Sequence, residues 1–154
     1  MVTVMRMPII YRRMTRDEAL QGADIIVQAY AKPPWHEEWS IQNAISRIDE
    51  LTTTPMCLAV AAFDAERPVG FAFGLPHTSV MGRGIHVAEI AIRPQHQRSG
   101  IGSCLLVRLE EEARTMGYVH VWLVSRSTGG VAEYYKSNDY QHSEKLCVYS
   151  KKLT

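Results

Sequence analysis

The chain has 154 residues, 46% of them hydrophobic and 21% charged, with a formal net charge of +1. That length and balance predict one domain over residues 1–154, with a core that needs neither disulfides nor metal. A near-neutral chain carries no electrostatic footprint for nucleic acid, and no apolar run is long enough for a membrane span.

Met1–Met7 holds one arginine and no apolar core before Pro8, so no signal peptide is expected. Ile9–Arg13 reads as an opening strand. Thr15 and Glu18 have capping-box spacing, and Ala19, Ala23, Ile26, Val27 and Tyr30 follow at helical spacing, so one helix is predicted up to Pro33-Pro34. Ser40 is placed to cap a second helix with Ile41, Ala44, Ile45, Ile48 and Leu51 on its apolar face. Cys57–Phe63 and Val69–Leu75 predict a β-hairpin, Pro76–Gly84 a connection, and Ile85–Ile92 a further strand. A long helix is expected over Ser99–Met116, stopped by Gly117. Val119–Val124 alternates as a strand does. Val131–Ser137 reads as a short helix, and Tyr140–His142 and Lys145–Lys152 as two closing strands. The order predicts an α+β fold, with a mixed, mostly antiparallel sheet and helices on both faces. Cys57, Cys104 and Cys147 are odd in number and each lies in an apolar run, which predicts buried, reduced thiols in a cytoplasmic protein.

The segment Glu89–Gly102 carries the most chemical information. A strand runs into a polar loop with two glycines, and the loop opens a long helix. The first amides of that helix have no intrahelical partner, and the helix dipole adds partial positive charge there. Gly100 and Gly102 let an anion approach the backbone, and Arg98 adds a full charge, so the loop reads as a pyrophosphate cradle. A P-loop is excluded because Gly102 is followed by Ser103-Cys104 and not by lysine. A dinucleotide fingerprint is excluded because Leu105 stands where a small residue is needed.

Gln97-Arg98-Ser99-Gly100-Ile101-Gly102 resembles the Q/R-x-x-G-x-G/A signature of the GNAT superfamily of N-acetyltransferases. Ile92-Arg93-Pro94 stands where the family has Val-x-Pro. Tyr135-Lys136-Ser137-Asn138-Asp139-Tyr140 stands where it has Tyr-x-x-x-Gly-Phe, with Asp139 replacing the glycine. The element order agrees over nearly the whole chain. The resemblance implies acetyl-CoA as co-substrate and no metal. Backbone of Ile90, Ala91 and Ile92 would pair with the pantetheine arm and polarise the thioester carbonyl. Gln97, Arg98, Ser99, Gly100, Ile101, Gly102 and Ser103 would hold the pyrophosphate. Thr128 stands where many members carry an asparagine that touches the pantetheine. Tyr135 is placed to protonate the leaving thiolate. The region of Trp35, Glu37 and Glu38 would line the acceptor pocket. The implied partner is a small-molecule or peptide amine, and a homodimer is among the assemblies common in such proteins.

Each candidate has an ordinary rival. Tyr134-Tyr135 is also a common packing pair. Glu89, a carboxylate in an apolar strand, suits a base acting on the amine directly or through a water, and equally suits a salt bridge to a nearby arginine. The Pro33–Trp39 segment is also a rigid turn with tryptophans inward and glutamates in water. His86 is a single strand histidine, whose ordinary role is packing. The six histidines show no metal-ligand spacing. A non-catalytic acyl-CoA sensor or assembly subunit, and an acyltransferase acting on oxygen, stay open as alternatives.

Overall fold

A computed structural model describes residues 7–154, so the reading of Met1–Met7 lies outside the described residues except for Met7. The chain forms two compact units, Met1–Trp122 and Leu123–Thr154.

In the first unit, β1 (Ile10–Arg13) leads to Thr15, whose side chain accepts from Glu18 N while Glu18 answers the Thr15 backbone. This capping box starts α1 (Arg16–Gln21). The single helix expected here is two, because the turn at Gly22 separates α1 from α2 (Ala23–Tyr30). Glycine weakens helix propagation, and here it forms the C-cap of one helix and the N-cap of the next. The Ser40 side chain accepts from Asn43 N and starts α3 (Ile41–Thr53), as its sequence predicts.

Strands β2 (Leu58–Asp64), β3 (Arg67–Ser79) and β4 (Gly82–Ile92) form a continuous antiparallel meander. The connection predicted over Pro76–Gly84 is instead ladder almost throughout, because His77, Thr78 and Ser79 pair with Gly84, Arg83 and Gly82. Only Val80 and Met81 turn the chain. A 3-10 turn (Pro94–His96) then leads to α4 (Ile101–Thr115), and β5 (His120–Trp122) closes the sheet order β1-β2-β3-β4-β5. β5 runs parallel to β4, and the other pairs are antiparallel.

Helices α1–α3 cover one face of the sheet and α4 the other. Phe63, Phe71, Phe73 and Ala91 pack with α1–α3. A Cβ on Gly70 would meet Leu105, and one on Gly74 would come within 3.6 Å of Leu109, both residues of α4. The three phenylalanines are at most 1% exposed, and each buried ring contributes about 1.5–3 kcal/mol. α4 buries Ile101, Leu105, Leu106, Leu109 and Ala113 and ends before Gly117, whose φ of +84° suits glycine.

The second unit contains α5 (Gly129–Ser137), which begins two residues earlier than predicted. The closing strands predicted at Tyr140–His142 and Lys145–Lys152 are not formed. Alternation makes a strand only where a partner edge accepts its hydrogen bonds, and Leu146, Val148 and Tyr149 remain exposed. No helix among the described residues is long and apolar enough to cross a membrane.

Candidate active site

The sheet opens at β4. β5 pairs with it only through Gly84, Ile85 and His86, so the strand predicted over Val119–Val124 is reduced to three paired residues. Beyond His86 no strand pairs with the outer edge of β4 among the described residues. Arg93 N donates to Val69 O at 2.8 Å, which fixes the alternation of the ladder. Ile90 and Ile92 therefore turn their backbone groups away from β3. On that edge Gln97 Nε2 donates to Ile92 O at 3.0 Å, and the Tyr30 oxygen lies 3.3 Å from Ile90 O with its single proton directed to Glu89. The edge thus offers the amides of Ile90 and Ile92.

A bulge decides what faces where. Phe73 pairs with Glu89 and Gly74 with Val87, so Ala88 is an extra residue in β4. Before the bulge, Ile85 packs toward the α4 face. After it, Ala91 belongs to the α1–α3 face and Ile92 to the α4 face. The inserted residue reverses the parity and turns Glu89 toward α2 and α3. Its carboxylate is clamped there, with Arg47 Nε donating to Oε1 at 2.9 Å and the Tyr30 hydroxyl to Oε2 at 2.5 Å. Its side chain is 14% exposed. The arginine of the salt-bridge rival is therefore Arg47. His86 lies flat on Trp122, with ring centroids 4.2 Å apart.

The loop after β4 is locked at both ends. Arg93 is 3% exposed and donates to Asp24 at 2.6 and 3.1 Å and to Pro68 O at 3.0 Å. Ser99 Oγ donates to His96 O at 2.6 Å. Arg98 and Gly100 have φ of 60° and 85°, and the helix predicted from Ser99 begins at Ile101 for that reason. No side chain caps it, and its first intrahelical bond runs from Cys104 N to Gly100 O. A Cβ on Gly100 would meet nothing within 4 Å, so the space before the helix is open. The arrangement fits an anion, with helix-start amides and left-handed residues turning successive N–H groups outward.

Around Pro33-Pro34 the tryptophans are half-buried against Tyr30, with Trp35 at 6.0 Å and Trp39 at 6.2 Å between ring centroids. Glu37 accepts from Trp39 Nε1 at 2.9 Å, and Glu37 and Glu38 are exposed. With Val27, Ala31, His36 and Trp39 they line a cavity of about 460 Å³. A cavity of about 590 Å³ lies at the β2–β3 turn beside Asp24 and Arg93.

In the second unit, Thr128 precedes α5 without capping it by its side chain. Burial pushes the Tyr135 phenol up to about 12, opposed by its bond with Ser125. Asp139 has φ of 67°, the left-handed conformation that explains glycine as the usual residue there and aspartate as a tolerated one. The thiols depart from expectation. Cys104 and Cys147 are exposed and Cys57 is half-buried. The helical turn sets Cys104 away from the stripe of Ile101, Leu105 and Leu109, and Cys147 lies in the segment that forms no strand. No group of three or more His, Cys, Asp or Glu among the described residues is arranged to hold a metal ion.

The chain belongs to the acetyltransferase (GNAT) family, whose model matches residues 25–140. Solved structures share its fold over most of its length at low identity. A possible acetyltransferase from Clostridium difficile 630 is 14% identical, with a TM-score of 0.78 and coverage of 95% of this chain and 98% of that one. An aminoglycoside acetyltransferase from an uncultured soil metagenomic sample, in complex with sisomicin, is 14% identical with a TM-score of 0.75, covering 95% and 97%. AAC(6')-Iy, in complex with the bisubstrate analog CoA-S-monomethyl-acetylneamine, is 12% identical with a TM-score of 0.74, covering 95% and 99%. A comparison with curated protein sequences yields no match.

Sequence reasoning singled out the loop and Glu89 but not Tyr30 and Arg47, which bond to Glu89, or Trp122, which stacks on His86. Tyr30 counted as one apolar residue of a helix, and Arg47 lies outside the apolar face of Ile41, Ala44, Ile45, Ile48 and Leu51 on which the second helix was read. Their meeting at Glu89 depends on how α2 and α3 lie on the sheet.

Proposed function

We propose that residues 1–154 make one acetyltransferase domain that moves the acetyl group of acetyl-CoA onto a primary amine by direct attack in a ternary complex. The observation that carries this reading is the unpaired edge of β4 at Ile90 and Ile92, continuous with the uncapped start of α4 at Gly100. The pantetheine arm adds to Ile90–Ile92 as an extra strand, and the Ile90–Ile92 backbone polarises the thioester carbonyl. Gln97–Ser103 takes the pyrophosphate, and Thr128 contacts the pantetheine. Glu89 meets the acceptor's ammonium and begins its deprotonation, directly or through a water. Trp35, Glu37 and Glu38 line the acceptor's approach. Tyr135, a phenol protonated at neutral pH and pushed up further to about 12 by burial, gives its proton to the departing thiolate. The cytoplasm, which keeps free thiols such as Cys57, Cys104 and Cys147 reduced, is the compartment proposed.

Neighbours in complex with aminoglycoside ligands support a small-molecule amine as acceptor. The test is free thiol released from acetyl-CoA across a panel of amines and alcohols, with the acetylated product identified by mass. Amine-dependent release with an acetamide product is expected. Cofactor binding without transfer would instead identify a sensor, and ester products an O-acyltransferase. Glu89→Gln is expected to lower the rate most at low pH, where the acceptor arrives protonated. A loss uniform in pH would remove the acid–base role.

A further inference from the structure

At the closed end of the β4–β5 pair lies a cluster that the roles above leave unused. The imidazole of His86 stacks on Trp122 of β5 at 4.2 Å and 22°, and His77 of β3 meets the same indole edge-on at 5.0 Å. His86 precedes the bulge and Glu89 follows it, and the extra residue Ala88 is what puts both on the α1–α3 face. Neither ring nitrogen of His86 has a hydrogen-bond partner among the described residues. Glu89, in contrast, is held on both oxygens. A proton left on Glu89 would leave the Arg47 guanidinium only the exposed Glu50, at 3.6 Å, as counter-charge, so the carboxylate is a poor final store.

We propose that His86 is the terminal acceptor of the proton that the amine gives up, passed on from Glu89 through a water. The role rests on the N-acetyl-transfer reading above. The ammonium loses one proton to Glu89 and then to His86. The freed nitrogen lone pair forms the C–N bond, the tetrahedral centre expels the thiolate with the C–S electron pair, and the nitrogen sheds its second proton. Tyr135 protonates the thiolate and recovers that second proton from water, so the net release is the one proton carried by His86 to solvent.

The surroundings suit such a carrier. Arg47 faces His86 from α3, His77 from β3 and Glu89 from β4, while Trp122 of β5 is uncharged. Burial, followed by His77 and Arg47, lowers the imidazole below the ordinary histidine value, with Glu89 opposing. The ring is therefore neutral and receptive at neutral pH.

The experiment is kcat/KM against pH with acetyl-CoA and each of phenethylamine, ethanolamine, kanamycin and an alanine-terminated tripeptide, for the wild type, His86→Gln, His86→Ala and His77→Gln. The wild type should lose activity on acidification through a limb centred below the ordinary value of about 6.5. His86→Gln and His86→Ala should lose that limb, with rates at neutral pH down roughly 100-fold. Added imidazole should restore part of the rate of His86→Ala, and His77→Gln should keep the limb. An acid limb retained in folded His86→Gln, or no rescue of folded His86→Ala by imidazole, overturns the relay and leaves the transfer reading standing. No thiol release by the wild type with any amine overturns the transfer reading and the relay with it.

Discussion

The phenol of Tyr30 donates to Glu89 Oε2 at 2.5 Å, joining the last residue of α2 to the residue just past the β4 bulge. Arg47 holds the other oxygen from α3. Tyr30→Phe keeps the ring against Trp35 and Trp39 and removes one donor. A hydrogen bond to a charged group contributes about 1.5–3 kcal/mol, and about 1.4 kcal/mol is tenfold in rate. The expected result is a fall of about 10-fold or more in kcat/KM for amine acetylation, with the fold retained by circular dichroism. An unchanged rate would show that the orientation of Glu89 does not matter to transfer.

Asp24→Ala tests the lock between α2 and the end of β4. It leaves the Arg93 guanidinium, whose side chain is 4% exposed, without its carboxylate. Losing one partner of a buried pair costs about 3–5 kcal/mol, and the partial exposure of Asp24 argues for roughly 2–3. Hydrogen bonds from Arg93, ahead of the opposing effect of burial, hold the Asp24 carboxyl below its ordinary range. A lowered folded-state value means the stabilisation is complete above the ordinary aspartate value of about 3.9 and is lost as pH falls through the lowered one. Urea unfolding of wild type and variant should therefore show a gap that narrows only in acid.

Gly74→Ala places a Cβ 2.6 Å from Ile85 Cδ1, in a core where Ile85 is fully buried. Overpacking of this kind costs about 1–3 kcal/mol. Adding Ile85→Val removes the nearer of two colliding atoms, leaving Cγ1 at 2.8 Å, and should recover part of the loss, measured as a double-mutant cycle of unfolding free energies. Strict additivity of the two changes would contradict the contact.

Much of this architecture was legible in the residues. Thr15 and Glu18, Ser40, the hairpin and the Gln97–Gly102 loop each carry a local signal, and local signals survive folding. The face of Glu89 was not legible, because a one-residue bulge leaves the strand pattern readable on either side while reversing its parity. The partners of Glu89 were illegible for another reason. Tyr30 and Arg47 lie 59 and 42 positions away in the chain, and only the packing of α2 and α3 on the sheet brings them together. The exposure of Cys104 was missed because the stretch Cys104-Leu105-Leu106-Val107 was read as a run and not as a helical wheel. The unformed closing strands show the converse error, in which alternation was read without asking for a partner edge.

Tyr135→Phe removes the hydroxyl that burial holds near about 12 and leaves the ring contacts with Tyr134 and Tyr140. A thiolate of ordinary value about 8.5 leaves tolerably without help, so the loss belongs to the lower part of the roughly 10²- to 10⁴-fold range for a general acid. Reduced kcat, nearly unchanged acetyl-CoA affinity and an altered alkaline limb are expected. A kcat within about twofold of wild type, with stability lowered by around 1 kcal/mol, would make the tyrosine a packing residue.

The central claim is that the open edge of β4 and the start of α4 hold an acyl-CoA, and calorimetric titration of acetyl-CoA into the wild type and Gly100→Val tests it most directly. Gly100 has φ of 85°, which a β-branched residue resists, yet a Cβ there meets no protein atom within 4 Å. The substitution should therefore cost about 1–2 kcal/mol of local strain without unfolding the chain. The account predicts saturable 1:1 binding to the wild type and affinity weakened at least about 10-fold in folded Gly100→Val, equivalent to about 1.4 kcal/mol. Equal affinity in the folded variant, or no binding to the wild type, would contradict it.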